Sequence, residues 1–238
     1  MKINFEELVD LAMKNKNYTH MRHVIAKELL HYDILFALDN NHLLDTLTFQ
    51  GGTSLRLCYG GDRFSEDLDF AGGKNFNPQD FKNIKSCLEK HIGKRYGLEI
   101  SVKEPETLYH PYDNASIKVS KWQLRILTHP LRRDLPKQMI KIEIVNLDAY
   151  TKELKTLQSN YDFLPDGYSD IFVMVESLDE ILADKLIAFF NCNYIRYRDI
   201  WDFRWLMQKG AKINIELIKN KIADYSVLSY NLKIQCRV

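Results

Sequence analysis

Between residues 19 and 38 the apolar side chains Val24, Ile25, Leu29, Ile34, Leu35 and Leu38 recur at helical spacing, and residues 5–15 show the same period, so both stretches are predicted helices. The pattern then shortens. "TLTFQ" (46–50) is brief, β-branched and aromatic, and it ends at Gly51 and Gly52, as a strand running into a turn does. "SLRLCY" (54–59) fits one or two helical turns, while "DLDF" (67–70) alternates polar and apolar positions like a half-buried strand. "NPQDFKNIKSCLEKHI" (77–92) reads as one helix with Asn77 as its cap and Pro78 at its first position. Strand patterns follow in "LEISVK" (98–103), "SIKVSKWQLRIL" (116–127), "MIKIEIVN" (139–146) and "DIFVMV" (170–175). From there the period is helical again, over 177–190, 196–208 and 214–224. The expectation is a mixed α/β region over residues 1–175 and a helical region over 176–238, with no Pro, Gly or Ser linker between them.

Composition narrows the class. With 238 residues, 45% hydrophobic and 27% charged, the chain has the make-up of an ordinary globular protein with a sizeable core. Its net charge of +1 provides no global field for nucleic acid, so any such contact must be a local patch. The basic run at 131–141 has no interleaved aromatics and reads as a solvated loop. Four scattered cysteines (Cys58, Cys87, Cys192, Cys236) form no C-x-x-C pair, which argues for reduced thiols and against zinc. The first residues carry acids within their apolar pattern, unlike a secretory leader, and no segment is apolar enough to span a membrane. These features point to the cytoplasm.

The chemistry concentrates in "FQGGTSLRLCYGGDRFSEDLDF" (49–70). On a strand, Asp67 and Asp69 point to one side while Leu68 and Phe70 enter the core. Two carboxylates that close repel each other unless a cation lies between them, and a hard divalent ion takes such oxygen ligands while binding phosphates at its open positions. Gly51 and Gly52 let the backbone approach a phosphate closely, and amides of a helix starting near Thr53 and Ser54 can point at the anion. A D-x-D alone is commonly an ion-paired strand end, and "GGTS" alone a loop. Their order after a strand makes a coherent nucleoside-triphosphate site. A third acid is expected on a neighbouring strand, and Glu143 of "KIEI" offers it as metal ligand or base, so that "TLTF", "DLDF" and "MIKIEI" should be neighbours in one mixed sheet.

A second polar cluster lies in the helical region. Lys185 interrupts an apolar helix, and "RYRDIWDFRWL" sets Asp199 and Asp202 on one helix face, with Arg198 and Asp202 spaced for an ion pair. These are surface pairs in the plainer reading, or a lysine for a triphosphate and aspartates that orient it.

The segment "FQGGTSLRL…RFSEDLDF", together with "ILADKLIAFF" and "YRDIWDFRWL" downstream, resembles the AbiEii/AbiGii-type nucleotidyltransferase toxins, a branch of the polymerase-β-like superfamily. The resemblance spans roughly residues 20–210. It implies an α/β (α+β) nucleotidyltransferase core, a mixed sheet flanked by helices, followed by a C-terminal helical region. It also implies dependence on Mg²⁺ or Mn²⁺, a nucleoside triphosphate as donor, a cognate antitoxin, and for some members transfer to the 3′ end of tRNA in toxin–antitoxin or abortive-infection systems. By position, Gly52, Thr53 and Ser54 match the phosphate-holding turn, preceded by Gly51. Ser65, Asp67 and Asp69 match the metal and catalytic segment, Lys185 the phosphate-contacting lysine, and Asp199 and Asp202 the later aspartate motif. Rival readings are transfer to a small-molecule or protein hydroxyl, and a non-catalytic nucleotide- or RNA-binding module. A D-x-D glycosyltransferase would leave the upstream glycine–serine turn without a purpose.

Overall fold

The computed structural model describes residues 4–16, 20–108, 117–132, 134–192 and 194–224. Cys236 lies outside these residues, as do Thr19 and Ser116, where a predicted helix and a predicted strand begin. Contacts divide the chain after Ser177 into two units.

The first unit opens with two helices, α1 (Phe5–Lys16) and α2 (Arg22–Asp39). From Ile25 to Leu38 nearly every residue of α2 is buried, so it is a core helix rather than an amphipathic surface one. Then come β1 (Thr48–Gln50), α3 (Gly51–Tyr59), β2 (Leu68–Ala71), α4 (Ile84–Tyr96), β3 (Ile100–Lys103), β4 (Val119–Ile126), β5 (Gln138–Val145), β6 (Glu153–Thr156) and β7 (Phe172–Val175). The strands form one sheet in the order β3, β4, β5, β2, β1, β7, β6. β2 with β5 and β1 with β7 are parallel, and the remaining pairs are antiparallel. The three strands expected to be neighbours, β1, β2 and β5, are adjacent.

Strict alternation separates the two faces of the sheet. Phe49 stands opposite Phe70 with their rings stacked 4.9 Å apart, and Leu68 pairs with Ile142, which in turn faces Trp122. These residues are fully buried with Leu29, Leu30, Ile84 and Leu88 from the helices. The residues between them in sequence turn to the opposite, more exposed face.

Three elements differ from expectation. The predicted helix over 77–92 is broken: Asn77 does cap its start, accepting from the Gln79 amide, but only a 3₁₀ turn (Pro78–Phe81) follows before α4. The break falls where Phe81 turns inward against Phe76 and Trp122. The helix after β1 begins at Gly51 with Gln50 as its N-cap, two residues earlier than expected. β6 had no signature, because it is an edge strand of alternately half-exposed and exposed residues bonded only to β7.

Buried ion pairs join these elements. Arg56 of α3 makes a bidentate contact with Glu28 of α2 (Nε to Oε2 2.7 Å, Nη2 to Oε1 3.0 Å) and donates to the Gly61 carbonyl at 2.9 Å. Its guanidinium also covers the Phe64 ring at 4.4 Å. Asp33 of α2 accepts from Tyr96 at 2.7 Å and from Tyr168, beside Arg95. His31 of α2 is also buried, with its Nε2 3.0 Å from the Glu66 carbonyl and its ring next to the charges of Glu28, Asp67 and Lys27.

The second unit contains α5 (Leu178–Phe190), α6 (Tyr197–Gln208) and α7 (Ile215–Asp224). Lys221 of α7 reaches Glu180 at 2.7 Å and Asp184 at 3.0 Å, both on α5. The rings of Phe189 and Phe203 meet edge-on at 5.5 Å. Among the described residues no helix is long and apolar enough to cross a membrane.

Two stability predictions follow from the first unit. Arg56→Met should cost about 3–5 kcal/mol, because it strands the buried Glu28 carboxylate, and the double variant with Glu28→Leu should recover much of that loss. Denaturant unfolding of the single and double variants checks this; equal losses in both would place the cost elsewhere. Burial lowers the pKa of His31 below its ordinary 6.5. Below about that pH the unfolded chain therefore binds the proton more readily than the folded one, and stability falls as the solution is acidified from pH 7 toward 5. The melting temperature of His31→Gln should decline less over the same interval than that of the unaltered protein.

Candidate active site

The register of four strands assembles the site. Gln50 on β1 stands opposite Asp69 on β2, Asp69 opposite Glu143 on β5, and Glu143 opposite Lys121 on β4. All four therefore lie in one row on the exposed face of the sheet. Asp67 precedes β2 by one position and joins the same face. Its Oδ1 accepts from the Lys141 amide at 3.0 Å, continuing the β2–β5 ladder with a side chain, and its Oδ2 lies 3.3 Å from Lys141 Nζ. Lys121 Nζ is 2.7 Å from Glu143 Oε1.

The glycines make way for this row. Gly51 has φ +79°, a conformation unfavourable to L side chains, and a Cβ placed on it would lie 2.7 Å from Asp69 Oδ2. A Cβ on Gly52 would lie 2.8 Å from both Ser65 Oγ and Arg63 Nη2. The start of α3 thus packs against the acidic strand on one side and the "RFS" loop on the other, which is why the turn and the acidic pair occur in one short segment. The first amides of α3 have no partner within the helix and form a positively polarised end beside Asp69.

The Thr53 and Ser54 hydroxyls are engaged within the protein. Both side chains are buried; Thr53 donates to the Asp67 carbonyl and Ser54 to the Gly51 carbonyl at 2.9 Å. The Thr53 hydroxyl ties α3 to the residue before β2 and the Ser54 hydroxyl closes on the first turn of its own helix, leaving their backbone amides as what they can offer an anion.

Hard oxygen donors thus share one face beside a helix N-terminus, in a cradle that side chains at positions 51 and 52 would fill. Among the described residues no three Asp, Glu, His or Cys side chains are gathered into an all-protein metal cage.

Lys185, Asp199 and Asp202 form a group of their own in the helical unit. Lys185 Nζ donates to Asp202 Oδ2 at 2.6 Å, linking α5 to α6, and Arg196 Nε lies 2.6 Å from Asp199 Oδ2. The plainer expectation of surface pairs is corrected here: Asp202 is 1% exposed and Asp199 4%. Arg198 stays exposed, so Asp202 is directed across to α5 rather than along its own helix to Arg198.

Sequence reasoning passed over Lys121, Lys141 as a partner of Asp67, and Arg63. Their signal was present, since Lys121 and Lys141 occupy the same alternating positions as the acids. The partner strand of β4 and its register, however, come only from the sheet.

No curated protein matches the chain by sequence. In fold it is similar to the nucleotidyltransferase toxin MenT4 of Mycobacterium tuberculosis (21% identity, TM-score 0.58, covering 91% of this chain and 68% of that one). It is also similar to JHP933 of Helicobacter pylori (21% identity, TM-score 0.53, covering 87% and 82%). A family model described as the nucleotidyl transferase AbiEii toxin of a type IV toxin–antitoxin system matches residues 33–234. The chain belongs to this AbiEii family of nucleotidyltransferase toxins, and the acid row beside the double glycine lies within the matched region.

Proposed function

We propose that the protein transfers a nucleoside monophosphate from a nucleoside triphosphate to the 3′-hydroxyl of an RNA, a tRNA, in the cytoplasm, and that a cognate antitoxin counters it. The observation that carries the reading is the in-register pair of Asp69 and Glu143, with Asp69 packed against a helix start whose first two residues lack side chains. Amides of Gly52, Thr53 and Ser54 receive the triphosphate anion, and Ser65 borders the same turn. Asp67 and Asp69 are the first residues to hold a divalent ion, Mg²⁺ or Mn²⁺, with Glu143 joining them as a third ligand once the ion is bound. When bound, such an ion neutralises charge on the transferring phosphoryl group and favours ionisation of the attacking hydroxyl.

The acceptor oxygen bonds to the α-phosphorus, the bond from that phosphorus to the bridging oxygen of the β-phosphate breaks, and pyrophosphate leaves. The hydroxyl proton passes to Glu143, the acid on the strand beside Asp69. To Lys185 we assign a contact with a triphosphate oxygen, and to Asp199 and Asp202 the orientation of the groups around it.

Incubation of the protein with each labelled nucleoside triphosphate, Mg²⁺ and total RNA is the direct test. Label in RNA is the expected result. Label in protein or in a small molecule would shift the acceptor class, and no label in any fraction would leave a binding module. Asp67→Ala should abolish labelling while changing stability by only about 1 kcal/mol, since its bonds to Lys141 are half exposed; full activity in that variant would remove the metal assignment. Lys185→Ala should raise the Michaelis constant for the triphosphate and slow turnover; unchanged values would leave it a structural partner of Asp202.

Glycine substitutions separate contact from strain. Gly51→Ala and Gly60→Ala both place a side chain at positive φ (+79° and +72°), but a Cβ on Gly60 meets nothing within 4 Å. Each should cost about 1–2 kcal/mol of stability. Only Gly51→Ala should lose activity, by displacing Asp69, and paired melting curves and labelling assays check the contrast.

A further inference from the structure

Two lysines of the first unit have no role in the reading above, yet each lies against one of its acids. Lys121 pairs with Glu143 and Lys141 with Asp67, at 2.7 and 3.3 Å. The acids and the lysines occupy one sheet face, in register, on three adjacent strands. Like charges in that arrangement repel, so carboxylates gathered for a divalent ion need other cations while the ion is absent.

We propose that Lys121 and Lys141 are exchangeable counter-ions of the acid row: each neutralises a carboxylate while no divalent cation is bound, and each moves to a substrate phosphate when one binds. This rests on the proposed metal-assisted phosphoryl transfer at the same site.

Three observations support an exchangeable role over a structural one. The side chains are exposed enough to move, 49% for Lys121 and 33% for Lys141, in contrast to 13% for Lys185 in its pair with Asp202. Lysine is a compact charge on a flexible stem and can change partners without the fixed geometry an arginine fork imposes. Lys121 also has a second place to go. It lines a cavity of about 490 Å³ whose other charged residues are Lys103, Lys118, Glu104 and Glu106. Its three lysines against two glutamates leave that wall one positive charge in excess. As plain ion pairs at this exposure, the two contacts would contribute little to stability.

The proposal predicts opposite effects on two ligands. Mn²⁺ binding to the full chain without nucleotide, followed by electron paramagnetic resonance, should tighten roughly three- to fivefold in Lys121→Gln and in Lys141→Gln, because the competing cation is gone. With Mn²⁺ saturating, affinity for inorganic triphosphate, measured by calorimetry, should weaken several-fold in the same variants. Lys121→Arg should bring Mn²⁺ affinity back toward that of the unaltered protein. Unchanged or weaker Mn²⁺ binding in both glutamine variants, or undiminished triphosphate affinity, would overturn the counter-ion role. Asp69→Asn separates the two levels of the argument. If it binds Mn²⁺ as well as the unaltered chain, or if the unaltered chain binds none, the metal site of the proposed function fails and this inference with it.

Discussion

The parallel pairing of β2 with β5 is the constraint on which the rest of the site depends. It sets Asp69 beside Glu143 and lets the Asp67 carboxylate complete the ladder on the Lys141 amide. A shift of one residue would turn every acid into the core and every core residue to solvent. What prevents the shift is the apolar half of the same strands. Leu68, Phe70, Ile142 and Ile144 are fully buried, and Trp122 backs them from β4. The hydrophobic alternation therefore does chemical positioning, because fixing the core side fixes which carboxylates meet on the other.

The opposite wall of the site comes from α3 and the loop that returns from it. Arg56 holds that loop from below through Glu28 and the Gly61 carbonyl, and Phe64 closes over the guanidinium. A buried ion pair of this kind is weak evidence for added stability, since desolvation offsets much of the attraction. Its value lies in geometry. With Arg56 saturated by fixed partners, the segment bearing Arg63 and Ser65 has one way to lie against Gly52, where no side chain intervenes. The inward hydroxyls serve the same geometry: Thr53 ties the helix start to the residue before β2, and Ser54 secures the first turn of the helix itself.

Charge is managed differently in the helical unit. Lys185 with Asp202, and Lys221 with Glu180 and Asp184, are ion pairs between helices, with Asp202, Glu180 and Lys221 almost wholly buried. Each carries a desolvation cost that apolar residues would avoid, and each ties α5 to a neighbouring helix. Lys185 and Asp202 also coincide with positions that the family resemblance assigns to nucleotide. A residue can serve both ends, because an ordered lysine presents its charge from a defined point.

The sequence by itself determined most of the elements and the chemistry they carry. Period changes located the helices and six of the seven strands among the described residues, and the double glycine upstream of D-x-D marked the candidate site, because local backbone preference and side-chain alternation are properties of short segments. It missed β6, whose exposed residues have no apolar period to read, and it ran one helix through the break at Phe81, where packing on Phe76 and Trp122 overrides local preference. Tertiary structure alone decided that Asp199 and Asp202 are buried, that the Thr53 and Ser54 hydroxyls face inward, and that Lys121 meets Glu143. Each of those depends on which distant segment arrives opposite a side chain, and strand order, register and helix packing set that, while residue spacing does not.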